Sequence, residues 1–589
     1  MFRSYDPTRS SHRPVYMGNF VAAPVPLDEL QGLLDDPAVV AIENTEHVRF
    51  LPPLHISHEV EPPSAEARSM DLREPIELNN GVLIGIIDVQ GFDFAHAEFL
   101  DGEGRTRFVE IWDQGGNTRP APKPFGYGSV IAAKDMNAAI VAAGDIGLPA
   151  TELEPQSQMV PASHGTHVAS IAAGNRRVCP EADIAGVLIS LPLEDTDNRK
   201  SFYDSSRIMH AVDYLFDLGK TRDQPVSVNI SLGTNGHAHD ASSVSSRWID
   251  FALASAGRSI CVAAGNAGQI EPAEPGDWGF VMGRIHTRGE FEKAGDCIDI
   301  EWIVLGDGIA DLSENELEIW YEPQDRIAIE IRPPGSSEWI GPIEPGQYRQ
   351  NRMLSDGTFL SIYNELYASA NGDNYIACYL SPFLSSERVV GVHAGTWLVR
   401  LTALDIRDGR YHAWIERDDP RRLGRTGFKE AWAFPSFFSR DSTVGDTTVS
   451  SLACGQRVIS IANLDDARKL ISITSSRGPT RDERLKPEIA APGTDIVAAS
   501  GFGDPNQPWV SMTGTSMASA YVAGEVARML IAEPKMTAAQ IGGIIRRTAR
   551  PLAGAAGFGW KNDAGFGEID PAACMAEVAQ LRTRRELNP

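Results

Sequence analysis

Three residue types that acyl transfer to a hydroxyl requires lie far apart in this sequence: Asp88, His164 and Ser516. A serine hydroxyl attacks a carbonyl effectively when a base takes its proton, and an imidazole is oriented for that task by a carboxylate. Asp88 ends the apolar run Val82-Leu83-Ile84-Gly85-Ile86-Ile87. His164 opens the small-residue stretch His164-Gly165-Thr166-His167-Val168-Ala169, and Ser516 follows Gly514-Thr515 and precedes Met517-Ala518-Ser519-Ala520. Gly514 and Thr515 suit a sharp turn, which places Ser516 at a helix N-terminus, where unpaired N–H groups favour negative charge. Its own N–H can then face an oxyanion. Taken singly, Ser516 reads as an N-cap, Asp88 as a helix cap and His164 as a satisfied core histidine. Only the combination argues for catalysis.

The elements that must hold these residues follow an α/β grammar. Residues 81–88 form a continuous apolar run, as a central parallel strand buried on both faces needs. Asp88 stands at its C-terminal end, where such sheets place their chemistry. Further strands are predicted at 107–113, 184–189, 226–233, 260–266 and 456–461. Helices are predicted at 131–143, 206–218 and 246–256, and after Ser516 at 538–549 and 571–581. This alternation predicts a doubly wound α/β domain with a parallel sheet. Between 281 and 438 the pattern changes to short β segments, such as 297–305, 316–321, 327–331 and 411–416, which predict an inserted β-sandwich. The catalytic domain would then comprise 80–280 and 439–589. Upstream, residues 15–60 read as a small α+β segment with a helix at 26–34 and a strand at 38–43, too short for a core of its own. Residues 1–14 read as a disordered tail and 61–79 as a linker.

The chain has 589 residues with 42% hydrophobic content, including 11 Trp and 22 Phe, which is ample for folded cores. Its formal charge of −26 argues against nucleic acid as a partner, since phosphate binding needs concentrated positive charge. Six scattered cysteines show no CxxC pair or metal-ligand spacing, so reduced, packed thiols are expected. The first 14 residues lack the apolar core of a secretory signal, and no apolar run reaches membrane-spanning length. The cytoplasm is the expected compartment, with export as a mature fragment the alternative.

At the quoted residues the chain resembles the subtilisin-like serine peptidases, the subtilases, whose triad follows the order Asp, His, Ser. The resemblance rests on Ile86-Ile87-Asp88, His164-Gly165-Thr166-His167-Val168-Ala169, Ala263-Ala264-Gly265-Asn266 and Gly514-Thr515-Ser516-Met517-Ala518. It extends to Ser476-Arg477-Gly478-Pro479 and covers about 80–280 and 440–580. It implies Ser516 as nucleophile, His164 as general base and then acid, and Asp88 as orienting carboxylate. It implies Asn266 as the side-chain amide that completes the oxyanion hole. Ser231-Leu232-Gly233 matches the segment along which an extended substrate adds as a strand, and Gly265 is implied as a further substrate-binding residue. His167 and His96 are expected to be structural.

The sequence also departs from the family pattern. Val89-Gln90-Gly91 adds a residue after Asp88 and removes a hydroxyl. The stretch from Gly174 to Pro180 is short where many subtilases carry a calcium loop, so the commonest family calcium site is not expected; no cofactor or metal ligand is assigned, and calcium elsewhere is left open. The insertion resembles the jelly-roll-like sandwich of some bacterial subtilases. Residues 15–54 resemble a shortened propeptide, a segment that assists folding and can occupy the cleft, with self-cleavage then falling near 55–78. A plain N-terminal extension is the equal alternative. The implied activity is that of an endopeptidase acting on protein or peptide through an acyl-enzyme. The alternatives are a catalytically restricted processing peptidase, and an inactive scaffold that holds a partner protein.

Overall fold

The computed structural model describes residues 14–587 apart from 61–80, 191–202, 272–280, 417–420 and 553–558. It also omits 24, 27, 44, 46, 51–52, 54, 59, 385–387 and 427–428. The predicted tail (1–14, except Pro14) and the linker (61–79) therefore lie outside the described residues. The Leu83–Asp88 strand has every residue buried, as a run that is apolar on both faces demands. It lies inside a nine-stranded sheet, between the parallel strands Val226–Ile230 and Asp183–Leu188. Arg258–Ala263, Ile459–Asp465, Phe108–Asp113 and Ile489–Pro492 extend the parallel set. Antiparallel strands Ser129–Ala132 and Leu470–Ile471 close its two edges.

Helices cover both faces. His164–Ala173 and Thr515–Ala532 belong to the core on one side, and Ser205–Arg222 and Val244–Ala252 to the core on the other. The small residues of the first pair are explained by how closely the helices approach. A Cβ on Gly524 would stand 2.7 Å from the Ala172 carbonyl and 2.8 Å from Val178. No larger residue fits there without moving backbone.

The insertion is a β-sandwich. A six-stranded sheet including Asn315–Tyr321 and Arg410–Glu416 faces a five-stranded sheet including Cys297–Val304 and Gly395–Asp405. The two share one core, in which Trp302, Trp397, Ile319 and Ile329 are buried. The strand predictions here fall within a few residues of the observed bounds, because one buried face imposes period-two alternation. At the neck, Phe438 N–H donates to the Arg284 carbonyl at 2.8 Å.

Three local expectations fail. Residues 38–43 form no strand, and Val40 is 98% exposed; an apolar run without a partner edge gains no ladder. The strand here is instead His47–Phe50. The helix predicted at 26–34 is only Leu30–Leu34 and buries no residue. The helix predicted from 131 begins at Ala133, because Val130 and Ile131 pair with Trp112 and Ile111 at the sheet edge.

Candidate active site

Asp88 is fully buried at the end of its strand. Its Oδ1 accepts from the Val89 and Gln90 N–H groups at 2.8 and 3.0 Å, and its Oδ2 lies 2.7 Å from His164 Nδ1. A carboxylate oxygen so held accepts, so the Nδ1 proton sits between the two groups and Nε2 is the basic nitrogen of the neutral ring. The departure at Val89-Gln90-Gly91 is put to use here. Gln90 Oε1 accepts the His164 N–H at 2.7 Å, while the Gly91 carbonyl accepts from the hydroxyls of Thr166, at 3.1 Å, and of Ser163. Gly165 must be glycine, since a Cβ would meet the Gln90 carbonyl at 2.1 Å. Gln90 and Ser163 escape sequence reading, because their partners are fixed only by the crossing of helix and loop.

The Ser516 helix runs antiparallel to the Val226–Ile230 strand. Ser519 Oγ donates to Asn229 Oδ1 at 2.6 Å, and Ser227 Oγ donates to the Ala523 carbonyl at 2.7 Å. The His164 helix also starts at the C-terminal edge of the sheet, beside Asp88, so the two helices run side by side in one direction. Gly524 faces Ala172, and each stands eight residues after Ser516 and His164 respectively. The shared offset sets the heads of both helices at one level. Ser516 Oγ is buried and makes no hydrogen bond among the described residues.

Asn266 is tied to the same turn. Its Oδ1 accepts from both the N–H and the hydroxyl of Thr515, each at 3.1 Å, and the Thr515 hydroxyl in turn accepts the Gly265 N–H at 3.2 Å. These donors identify the oxygen of the amide and so fix Nδ2 on its other side. Gly265 has φ +106°, and a Cβ there would stand 2.8 Å from Ser476 Oγ, which accounts for both the glycine and the nearby Ser476-Arg477-Gly478-Pro479 segment.

Ser231 Oγ accepts from Asn229 Nδ2 at 2.8 Å, which links the head of the edge segment to the Ser516 helix through Asn229. Leu232–Gly233 forms a two-residue strand, and its partner is the chain's own N-terminal segment. Phe50 pairs antiparallel with Leu232 and Arg49 with Gly233, while His47 and Val48 pair with Asp204 and Tyr203. Downstream, His55–Ser57 pairs antiparallel with Ser511–Thr513, the strand that leads into Ser516.

His167 and His96 have structural partners. His167 Nε2 faces the Ile496 and Val510 carbonyls at 3.0 and 3.2 Å, and burial pushes its ring down to about 3. His96 Nδ1 accepts from Glu98 N–H and its Nε2 lies 2.9 Å from the Pro508 carbonyl. The short turn after the His164 helix is tied to neighbouring segments by side-chain donors. Asn175 Nδ2 donates to those of Ala97 and Leu100, and Arg107 to those of Pro180 and Ala182. The six cysteines are free, five of them buried. Among the described residues no helix is long and apolar enough to cross a membrane.

The chain belongs to the subtilase family: the Peptidase S8 family model matches residues 79–372 and 438–567. Among curated proteins it is similar to the minor extracellular protease Vpr of Bacillus subtilis (strain 168), at 36% identity over 117 residues, 17% of this chain and 14% of that protein. It is also similar to the subtilisin-like protease SBT4.13 of Arabidopsis thaliana, at 37% over 116 residues, 18% of this chain and 16% of that protein. The matched stretch thus spans less than a fifth of either relative. Among solved structures, the Clostridium perfringens CspB protease aligns at a TM-score of 0.67 and 23% identity, covering 86% of this chain and 94% of that one. That likeness is one of fold.

Proposed function

We propose that the chain is a serine endopeptidase acting through an acyl-enzyme on Ser516, with its N-terminal segment lying in the cleft as a substrate-like strand. Ser516 Oγ attacks the scissile carbonyl as His164 Nε2 takes its proton, and Asp88 stabilises the imidazolium that results. The oxyanion sits between the Ser516 N–H and Asn266 Nδ2. His164 then returns the proton to the leaving amine, and water repeats the sequence to free the acid. The observation that carries this reading is the 2.7 Å contact of His164 with a carboxylate, made at the head of a helix level with that of Ser516.

The substrate is an extended protein or peptide segment that adds to Leu232–Gly233, the pairing Arg49–Phe50 now makes. Any self-processing falls after Arg49–Phe50, which pair with that edge, and before His55–Ser57, which pair with the strand leading into Ser516. This lies upstream of the position near 55–78 that the sequence suggests.

The test is a fluorophosphonate serine-hydrolase probe applied to wild type and Ser516→Ala, with intact masses of both. Labelling of wild type alone, and any mass loss absent from the variant, would support the proposal. A folded wild type that stays unlabelled, even with the N-terminal strand displaced, would favour a scaffold that holds a partner.

A further inference from the structure

The edge strand Leu232–Gly233 is two residues long, too short to set its own direction, so its line depends on what anchors its ends. Asn229 holds Ser231 at one end. At the other end the anchor comes from the inserted sandwich. Glu416, 2% exposed at the end of its strand, turns one carboxylate oxygen toward three donors that follow Gly233. Its Oε2 accepts from Thr234 Oγ1 at 2.6 Å, Asn235 N–H at 2.5 Å and Gly236 N–H at 2.6 Å. Successive N–H groups converging on one anion form a charge-assisted nest. Glu318, on the neighbouring strand, accepts the His237 N–H at 2.7 Å.

The loop beyond has little local reason to hold this shape. His237, His239 and Ala241 have φ of 71°, 49° and 63°, values that non-glycine residues keep only where surroundings impose them. The sandwich supplies those surroundings: Trp414 stacks on His239 at 4.3 Å, and Arg481 bridges Asp240 to Asp373 of the insertion.

We propose that Glu416 is a positioning residue for the substrate, through which the inserted domain aims the strand-addition edge. It touches no reacting atom. Its removal frees the far end of the edge, which bears on substrate residues remote from the scissile bond more than on Ser516. The catalytic consequence rests on the peptidase reading; the effect on the edge does not.

The test compares full-length wild type with Glu416→Gln and with Thr234→Val, which removes one donor at nearly constant volume. Amide hydrogen exchange at 232–237 should quicken roughly tenfold in both, with 83–88 unchanged. On a tetrapeptide substrate KM should rise more than kcat falls, and kcat/KM should drop roughly ten times more than for a single-residue ester. Unchanged exchange at 232–237 would overturn the proposal whether or not the protein is active. Equal losses on ester and tetrapeptide would also overturn it. Failure of wild type to take the fluorophosphonate, even with the N-terminal strand displaced, would instead count against the peptidase reading, leaving the exchange result to decide on Glu416.

Discussion

Phe50 and Leu232 face each other across an antiparallel ladder, so this chain places its own backbone on the edge that its fold offers to an extended ligand. The same short strand is held from its other side by Tyr203 and Asp204. On the proposed peptidase reading a visiting peptide displaces it, and the strength of that ladder sets access to Ser516.

Prolines introduced together at Val48 and Phe50 remove two N–H groups from the strand. Fluorophosphonate labelling of Ser516 should then be at least about tenfold faster than in wild type, because an edge that loses ladder bonds opens more often. Equal labelling rates would show that the strand does not limit access.

Asp88→Asn keeps the shape of the side chain but no longer holds the proton on Nδ1 of His164. The expected result is a fall in kcat of roughly 10⁴ with little change in KM, the size such an exchange has in serine-protease triads. A loss under tenfold in steady-state peptide hydrolysis would remove Asp88 from the mechanism.

Asn266→Ala should lower kcat by about 10²–10³, a magnitude taken from subtilisin rather than derived from this chain. Asn266→Asp retains an oxygen for Thr515 while it removes the amide donor and adds a negative charge beside the proposed oxyanion, so its loss should be at least as large. If it hydrolyses peptides as wild type does, the oxyanion is held elsewhere.

Gly524→Ala forces a methyl group against the Ala172 carbonyl and Val178. Urea unfolding should show a loss of about 1–3 kcal/mol, as overpacking in tight cores does. A fall in kcat should accompany it, because the spacing of the two helices sets the distance between His164 and Ser516. An unchanged midpoint and kcat would show that the helices separate without consequence.

Glu525, on the Ser516 helix, is buried, and that burial pushes its carboxyl up to about 7 although Arg528 lies 3.2 Å away. An unfolded glutamate ionises near 4.3, so between these values the folded state binds more protons. Stability from this group is therefore complete below the lower value and is lost as pH rises through the higher one. Glu525→Gln should remove that loss, so its stability relative to wild type should improve from pH 4.5 to pH 8 by on the order of 3 kcal/mol. Parallel unfolding curves at the two pH values would refute this.

Legibility in the sequence followed how local each cause is. Residues 83–87 could be read as a central strand because burial on both faces leaves no polar position before Asp88. Asp88, His164, Asn266 and Ser516 could be read because each stands in a distinctive run of small or apolar neighbours. The sandwich strands could be read from alternation. His47–Phe50 could not, since its status as a strand comes from the edges of Leu232–Gly233 and Tyr203–Asp204, and four alternating residues are too short a run to stand out by themselves. The more apolar run at 38–43 misled for the same reason. Gln90 and Glu416 stayed hidden because each is defined by backbone N–H groups distant in sequence.

The bond from Phe438 N–H to the Arg284 carbonyl has a consequence for the order of synthesis. It closes the sandwich on itself at a neck, so that module can finish folding while Ile459–Asp465 and the Ser516 helix are still on the ribosome. The half-sheet made first must wait through that interval with the face later covered by Thr515–Ala532 still open. Asp88 and His164 are thus synthesised long before Ser516, and on the proposed mechanism the three come together only when the last part of the sheet docks. Until then the open face of the half-sheet is the surface most exposed to aggregation.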